Sequence, residues 1–222
     1  LFRSYLRVVR LRDAIEHGGW RGGLIDRDNA PFGFYMHWTI LFDAIILAVA
    51  LPIIRLTDNP DLLPVIAGFS GWASIVALVT AVAWSIRPYA GKTGALVAWA
   101  LVAAALPVEA YGAVGRADHH VFGVFLCVLY LGLALRAVTT QARGLAVAAG
   151  LAAGFCLWAT VETMPVVLFG AGFAAMTRIV SRRKVKLVEL GLATLLMTAI
   201  ALWIDPPASG YFAVEIDRHS VV

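Results

Sequence analysis

Seven stretches of the chain are almost free of charge, at roughly 38–55, 62–86, 93–111, 121–136, 144–161, 164–178 and 187–204. Short clusters of polar residues separate them. Within each stretch the apolar positions run continuously, without the apolar–polar alternation of a membrane β-barrel strand. A helix needs about 20 apolar residues to cross the hydrocarbon core, within a range of about 17–25. The 121–136 and 164–178 runs fall short of that, so flanking residues must help them across. The pattern predicts an all-α fold, a polytopic transmembrane helical bundle with about six full spans plus an amphipathic or interfacial N-terminal segment. Residues 1–37 form the polar entry, 38–204 the membrane domain, and 205–222 a polar tail.

Composition agrees. Hydrophobic residues make up 61% of the chain and charged residues 14%, with a mean hydropathy of +0.83. Soluble domains carry about 25% charged residues, and a chain this apolar cannot hide its surface in one small aqueous core. The net charge of +4 does not point to nucleic acid, because the basic residues lie in loops between apolar runs. Cys127 and Cys156 both sit inside apolar runs and carry no redox or metal signal. The chain opens at Leu1 and closes on "RHSVV", and it reads as a piece of a longer protein.

Loop charge sets the expected orientation. "RPYAGK" (87–92) and "RAVTTQAR" (136–143) carry two basic residues each, and "RIVSRRKVK" (178–186) carries five. The alternate loops are poor in Lys and Arg, which places the basic set in the cytoplasm. Asp118, His119, His120, Glu162 and the C-terminal tail then lie outside the cytoplasmic membrane.

The N-terminal "LFRSYLRVVRLRDAIEHGGW" sets Leu1, Tyr5, Leu6, Val8, Val9 and Ile15 among Arg3, Arg7, Arg10 and Arg12. That spacing predicts an amphipathic helix ending at Gly18-Gly19. If 38–55 crosses the membrane, this helix is cytoplasmic; if 38–55 lies along the interface, the helix is outside. Asp43 and Pro52 suit either arrangement.

Four polar clusters carry candidate chemistry. In "GRADHHVFG", Asp118 can cap the following helix, but a cap leaves His119 and His120 unexplained. One carboxylate beside two imidazoles fits a divalent-metal or phosphate site, although neighbours on a helix point about 100° apart. In "ATVETMP", Glu162 at membrane depth is a functional candidate, against the plainer reading of a turn just beyond the hydrocarbon. Glu109 has the same two readings, and the plainer one is preferred. In "LIDRDNAPFGFYMHWT", Asp26 and Asp28 are ordinary turn residues by type. His37 and Trp38, with Phe34 and Tyr35, suit an aromatic belt. In the tail, Arg218 beside Glu215 and Asp217 has the chemistry to grip a phosphate.

The order "GGW", "APFGFYMHWT..FD", "GRADHH", "VETMP" and "DRHSVV" resembles bacterial multi-spanning membrane proteins of the GT-C glycosyltransferase layout. It is more distantly similar to the oligosaccharyltransferase catalytic subunit and the lipid A aminoarabinose transferases. The resemblance implies transfer of a sugar from a polyprenyl-phosphate donor at the outer face of the membrane, among membrane lipids. It implies a divalent metal, Mg or Mn, at Asp118, His119 and His120, with Glu162 supporting catalysis. Asp26 or Asp28 would be the first-loop acid, and His37, Trp38, Arg116 and Arg218 would bind substrate. It also implies an interfacial 38–55. Two departures stand out: Arg3 and Ser4 occupy the register of the family's first-loop acids, and Ile40 replaces an Arg after "HWT". The alternative from another class is an ion- or proton-coupled transporter subunit relaying protons through Glu109, Glu162 and the His pair. A purely structural membrane subunit is a third.

Overall fold

The computed structural model describes residues 2–17, 24–25, 31–32, 34–35, 38–181 and 184–206. All seven apolar stretches are helical. The helices are α1 (Phe2–His17), α2 (Leu41–Thr57), α3 (Leu62–Ala103), α4 (Leu106–Gly112), α5 (His120–Thr140), α6 (Arg143–Ala159), α7 (Met164–Val180) and α8 (Leu187–Ile204). One two-residue antiparallel pair, β1 (Leu24–Ile25) with β2 (Phe34–Tyr35), follows α1. Among the described residues four helical segments are long and apolar enough to cross a membrane: α3, α5, α7 with the short turn before it, and α8. The 17-residue α6 is shorter. Large apolar side chains on these helices face outward, among them Phe169, Ile179, Leu195 and Trp203, as a bundle solvated by lipid requires.

The α3 segment is a hairpin rather than one rod. Gly91 has φ 68 and ψ −171 inside it, a conformation open to glycine and costly for other residues. The chain doubles back there. Gly112 packs on Gly71 and Ile75, and the Gly115 N–H donates to the Gly68 carbonyl at 2.9 Å. The break coincides with the polar loop that separates the 62–86 and 93–111 stretches.

Successive connections alternate between two ends of the bundle. At one end Tyr89 meets Thr139 at 3.3 Å, and Arg143 meets Glu189 at 3.6 Å. At the other end Thr39 donates to the Ala159 carbonyl at 3.1 Å, and the Ile40 N–H donates to Asp205 at 2.8 Å. Gly123, one turn into α5, faces Thr160 and Thr163 at this same end. Both ends of α2 belong here too, since α2 starts at the Asp205 contact and α3, which follows it, puts Gly68 on Gly115. So α2 lies across this end of the bundle. It buries Phe42, Asp43, Ile46, Leu47 and Ala50, and it leaves Ile45, Val49, Ile53 and Leu56 exposed.

Asp205 acts as a staple. Its Oδ2 accepts both the Ile40 N–H and the Trp158 Nε1–H, at 2.8 and 3.0 Å. The first bond satisfies a donor at the start of α2, where Ile40 has no side-chain oxygen to supply a cap. Asp205→Ala is expected to cost about 1–2 kcal/mol and to speed amide exchange at Ile40, read by hydrogen–deuterium exchange.

Helices α6 and α8 pack closely along glycines. A Cβ on Gly150 would come 2.2 Å from the Leu190 carbonyl oxygen, and one on Gly154 would come 2.5 Å from Met197. Small residues let membrane helices approach this closely when no hydrophobic drive holds them together. Gly150→Ala is therefore expected to destabilise by about 1–3 kcal/mol through overpacking. Gly191→Ala on α8, where nothing lies within 4 Å, should instead raise stability by about 0.5–1 kcal/mol. Thermal unfolding in detergent reads the opposite shifts. Deeper in the bundle, the Tyr130 hydroxyl donates to the Val167 carbonyl at 2.9 Å, and Gly170 leaves room for its ring.

Candidate functional site

One polar cluster is built at the end of the bundle that α2 crosses. Its first layer comes from α1. An amphipathic helix would carry its arginines in solvent, and Arg12 is exposed, but Arg7 and Arg10 turn inward. Arg7 is 1% exposed beside buried Leu6 and Leu11, whereas Tyr5 and Ile15 are exposed. The Arg7 Nη1 lies 3.4 Å from Asp43 Oδ1, and the Arg10 Nε lies 3.2 Å from Asp43 Oδ2. Arg10 also donates to the Trp38 carbonyl at 3.0 Å. The Arg7 guanidinium sits 4.8 Å from the ring centres of both Trp38 and Phe42, the stacking that a weakly hydrated planar cation favours. Asp43 thus has a defined role that its position inside an apolar run could not reveal.

The second layer is the 113–119 loop. Arg7 donates from Nη2 to His119 Nδ1 at 3.1 Å, which joins α1 directly to the Asp-His-His motif. Asp118 Oδ1 accepts the His120 backbone N–H at 3.2 Å and also meets the His120 Nδ1. Asp118 Oδ2 accepts from Arg116 at 3.2 Å. Asp118 is not the cap of α5, a position held by His119 without a side-chain cap bond, but it ties the first residue of α5 through the His120 N–H while holding a side chain. Arg116 further donates to the Ala110 carbonyl at 2.9 Å and lies 4.9 Å from the Tyr111 ring centre. Tyr111, His120, His119 and Trp38 form a chain of ring contacts, with centroids 5.2, 4.7 and 6.0 Å apart in turn.

Burial pushes the Asp118 carboxyl up. The hydrogen bonds and charge of His120, aided by His119, outweigh it and hold the group well below the usual carboxylate range. Among the polar side chains here, His120 is 38% exposed and Arg116 30%, against 17% for His119 and 12% for Asp118.

Of the residues singled out in the sequence, Trp38, Arg116, Asp118, His119 and His120 come together here. Glu162 lies at the same end, in the turn Val161–Thr163, and is exposed. Its carboxylate has no hydrogen bond or ion pair among the described residues; only its N–H donates, to Thr160. Glu109 is also exposed. Asp26, Asp28, His37 and Arg218 lie outside the described residues. Arg7, Arg10, Asp43 and Tyr111 are members that sequence reasoning did not assign. The available signal was a lone carboxylate in an apolar run and an excess of arginines upstream, two anomalies that explain each other once paired.

The ligand atoms of Asp118, His119 and His120 lie within 4.8 Å of one another, which invites a metal. One carboxylate with two imidazoles would suit Mn rather than the oxygen-seeking Mg. As arranged, the set does not fit an ion. Arg7 occupies the His119 Nδ1 lone pair, and Asp118 is shared between His120 and the Arg116 guanidinium.

No family model, curated protein or solved structure matches the chain. Its functional reading rests on its own residues and on the motif order described above.

Proposed function

We propose that this chain is the membrane part of a transferase that takes a sugar from a polyprenyl-phosphate carrier, with its site at the end of the bundle crossed by α2. In this reading the two limbs of α3 (the second with α4), α5, α6, α7 and α8 make six passes, and α2 lies in the interface. The basic loops face the cytoplasm and the site faces outward. The observation that carries the reading is the cluster itself. Arg7, Asp43, Trp38, Arg116, Asp118, His119 and His120 come from α1, α2, the segment before it, the 113–119 loop and α5, and they meet at one end rather than at mid-membrane, where transporter sites tend to lie.

The chemistry follows from accessibility. Arg116 is placed to steady the phosphate of the departing carrier. His120, backed by Asp118, is placed to take the proton of an acceptor hydroxyl, in the manner of an imidazole oriented by a carboxylate. Trp38 and Tyr111 supply aromatic walls.

The test uses the protein in nanodiscs, with decaprenyl phosphate and decaprenol compared as added ligands. The expected result is thermal stabilisation by the phosphate alone, lost in Arg116→Gln. Equal stabilisation by the alcohol sinks the proposal. Proton flux into proteoliposomes that depends on Glu162 and His120 would replace it with the transporter reading.

A further inference from the structure

The end of the bundle opposite the polar cluster is built of cations. Its segments, 84–92, 136–143 and 178–189, hold one acid, Glu189. Arg143 meets that acid at 3.6 Å, but the arginine side chain is 78% exposed, and an exposed pair neutralises little. Two other arginines are turned back onto the protein. Arg136 sits 3.7 Å from the Trp84 ring centre and donates to the Trp84 carbonyl at 2.5 Å, and Arg178 donates to the Val185 carbonyl at 2.7 Å. Arg87 and Lys92, on either side of the Gly91 turn, and Lys184, before α8, are exposed. None of these three has a hydrogen bond or ion pair among the described residues.

The same cations border exposed apolar surface. Leu96 lies four residues beyond Lys92 on the second limb of α3, Ile179 and Val180 adjoin Arg178, and Val188 opens α8 just after Lys184; all four are exposed. Trp84 and Tyr89 are exposed here as well, and such rings settle at the head-group level of a bilayer.

We infer that this end is a docking surface for acidic phospholipid of the phosphatidylglycerol type. The lipid phosphate lies against Arg87, Lys92 and Lys184, and its acyl chains cover Leu96, Ile179 and Val188. A soluble polyanion would answer the charge and leave the aliphatic side chains bare. A zwitterionic phospholipid would cover those side chains but bring its own cation to the phosphate. Attraction to anionic lipid strengthens binding by about fivefold for each basic residue near the surface, so the three uncommitted cations together supply about 100-fold. The inference uses no residue of the polar cluster and does not depend on the transferase reading.

The test takes the full chain in dodecyl maltoside micelles and follows its unfolding midpoint. The added ligands are dioctanoyl phosphatidylglycerol, dioctanoyl phosphatidylcholine, glycerol 1-phosphate and oligo-uridylate. The expected result is a raised midpoint with phosphatidylglycerol alone, suppressed by about 1 M NaCl, where charges are screened over about 3 Å. Replacing Arg87, Lys92 and Lys184 together by Gln should raise the phosphatidylglycerol concentration needed for half the shift by about 100-fold. No shift with phosphatidylglycerol overturns the inference, as does an equal shift with phosphatidylcholine or glycerol phosphate. An equal shift with oligo-uridylate overturns it in favour of a soluble polyanion. A full response in the triple variant also overturns it, and so does a response lost instead in Arg116→Gln, which would put the lipid phosphate at the other end. If the triple variant fails to fold, the unmodified protein decides through the salt comparison. Neither a polyprenyl carrier nor Arg116 is needed for the expected result, so a failure here is separate from a failure of the phosphate-binding test above.

Discussion

Asp43→Leu should destabilise the protein by about 3–5 kcal/mol, since removing one partner of a buried ion pair strands the other. Two guanidiniums are stranded here. Arg7 is 1% exposed and Arg10 12%, and both reach Asp43, which is itself 4% exposed. Water cannot enter to solvate them without α1 leaving the bundle. The expected signs are a lowered unfolding midpoint in detergent and rapid tryptic cleavage within α1, at arginines the intact protein shields. High salt should change neither wild type nor variant much, because screening acts weakly on buried pairs. Combining Asp43→Leu with Arg7→Met and Arg10→Met should cost less than Asp43→Leu alone, the non-additivity expected of groups in one network. A midpoint for Asp43→Leu within about 0.5 kcal/mol of wild type would mean that α1 is not held by this cluster.

Under the transferase proposal, Asp118→Asn is expected to lower transfer by about 10²–10⁴-fold while the bundle stays folded. The amide retains an acceptor for the His120 backbone N–H, but it loses the charge that holds His120 and Arg116. The pH dependence separates charge from shape. Asp118 binds its proton less tightly in the folded protein than a free carboxylate does. Its contribution to stability is therefore complete above the ordinary carboxylate value of about 3.9 and is lost as pH falls from there through the depressed folded value. Wild type should lose stability in that acid window, and Asp118→Asn should lack this component. Parallel acid curves for the two proteins would show that Asp118 is not held ionised by its neighbours.

The α1 helix shows how far sequence reasoning reaches. Alternation of arginines with Leu, Tyr, Val and Ile correctly predicts a helix over this segment; its expected end at Gly18-Gly19 lies outside the described residues. The alternation cannot tell which face turns inward, because that depends on what lies opposite. The face opposite holds Asp43, Trp38 and Phe42, an acceptor for charge between two aromatic rings, and a guanidinium fills that space better than Tyr5 or Ile15 would. The Asp-His-His motif was legible as a cluster for a different reason: three adjacent polar residues at the edge of an apolar run have few ordinary explanations. Its partners Arg116 and Asp118 are two residues apart, so local geometry brings them together. Arg7, more than a hundred residues upstream, reaches His119 only through the fold.

The amino-acid sequence alone determines that this chain is helical with several helices apolar enough to cross a membrane, roughly where most of those helices lie, and that polar residues gather at 116–120. Those features follow from hydrocarbon solvation and local hydrogen bonding, which act over neighbouring residues. Only the tertiary structure decides that α2 lies across one end of the bundle, that α3 turns back at Gly91, and that Arg7 meets Asp43 and His119. These depend on which distant surfaces fit each other, and the low dielectric of the shared interior makes pairing the buried charges the condition for the fold.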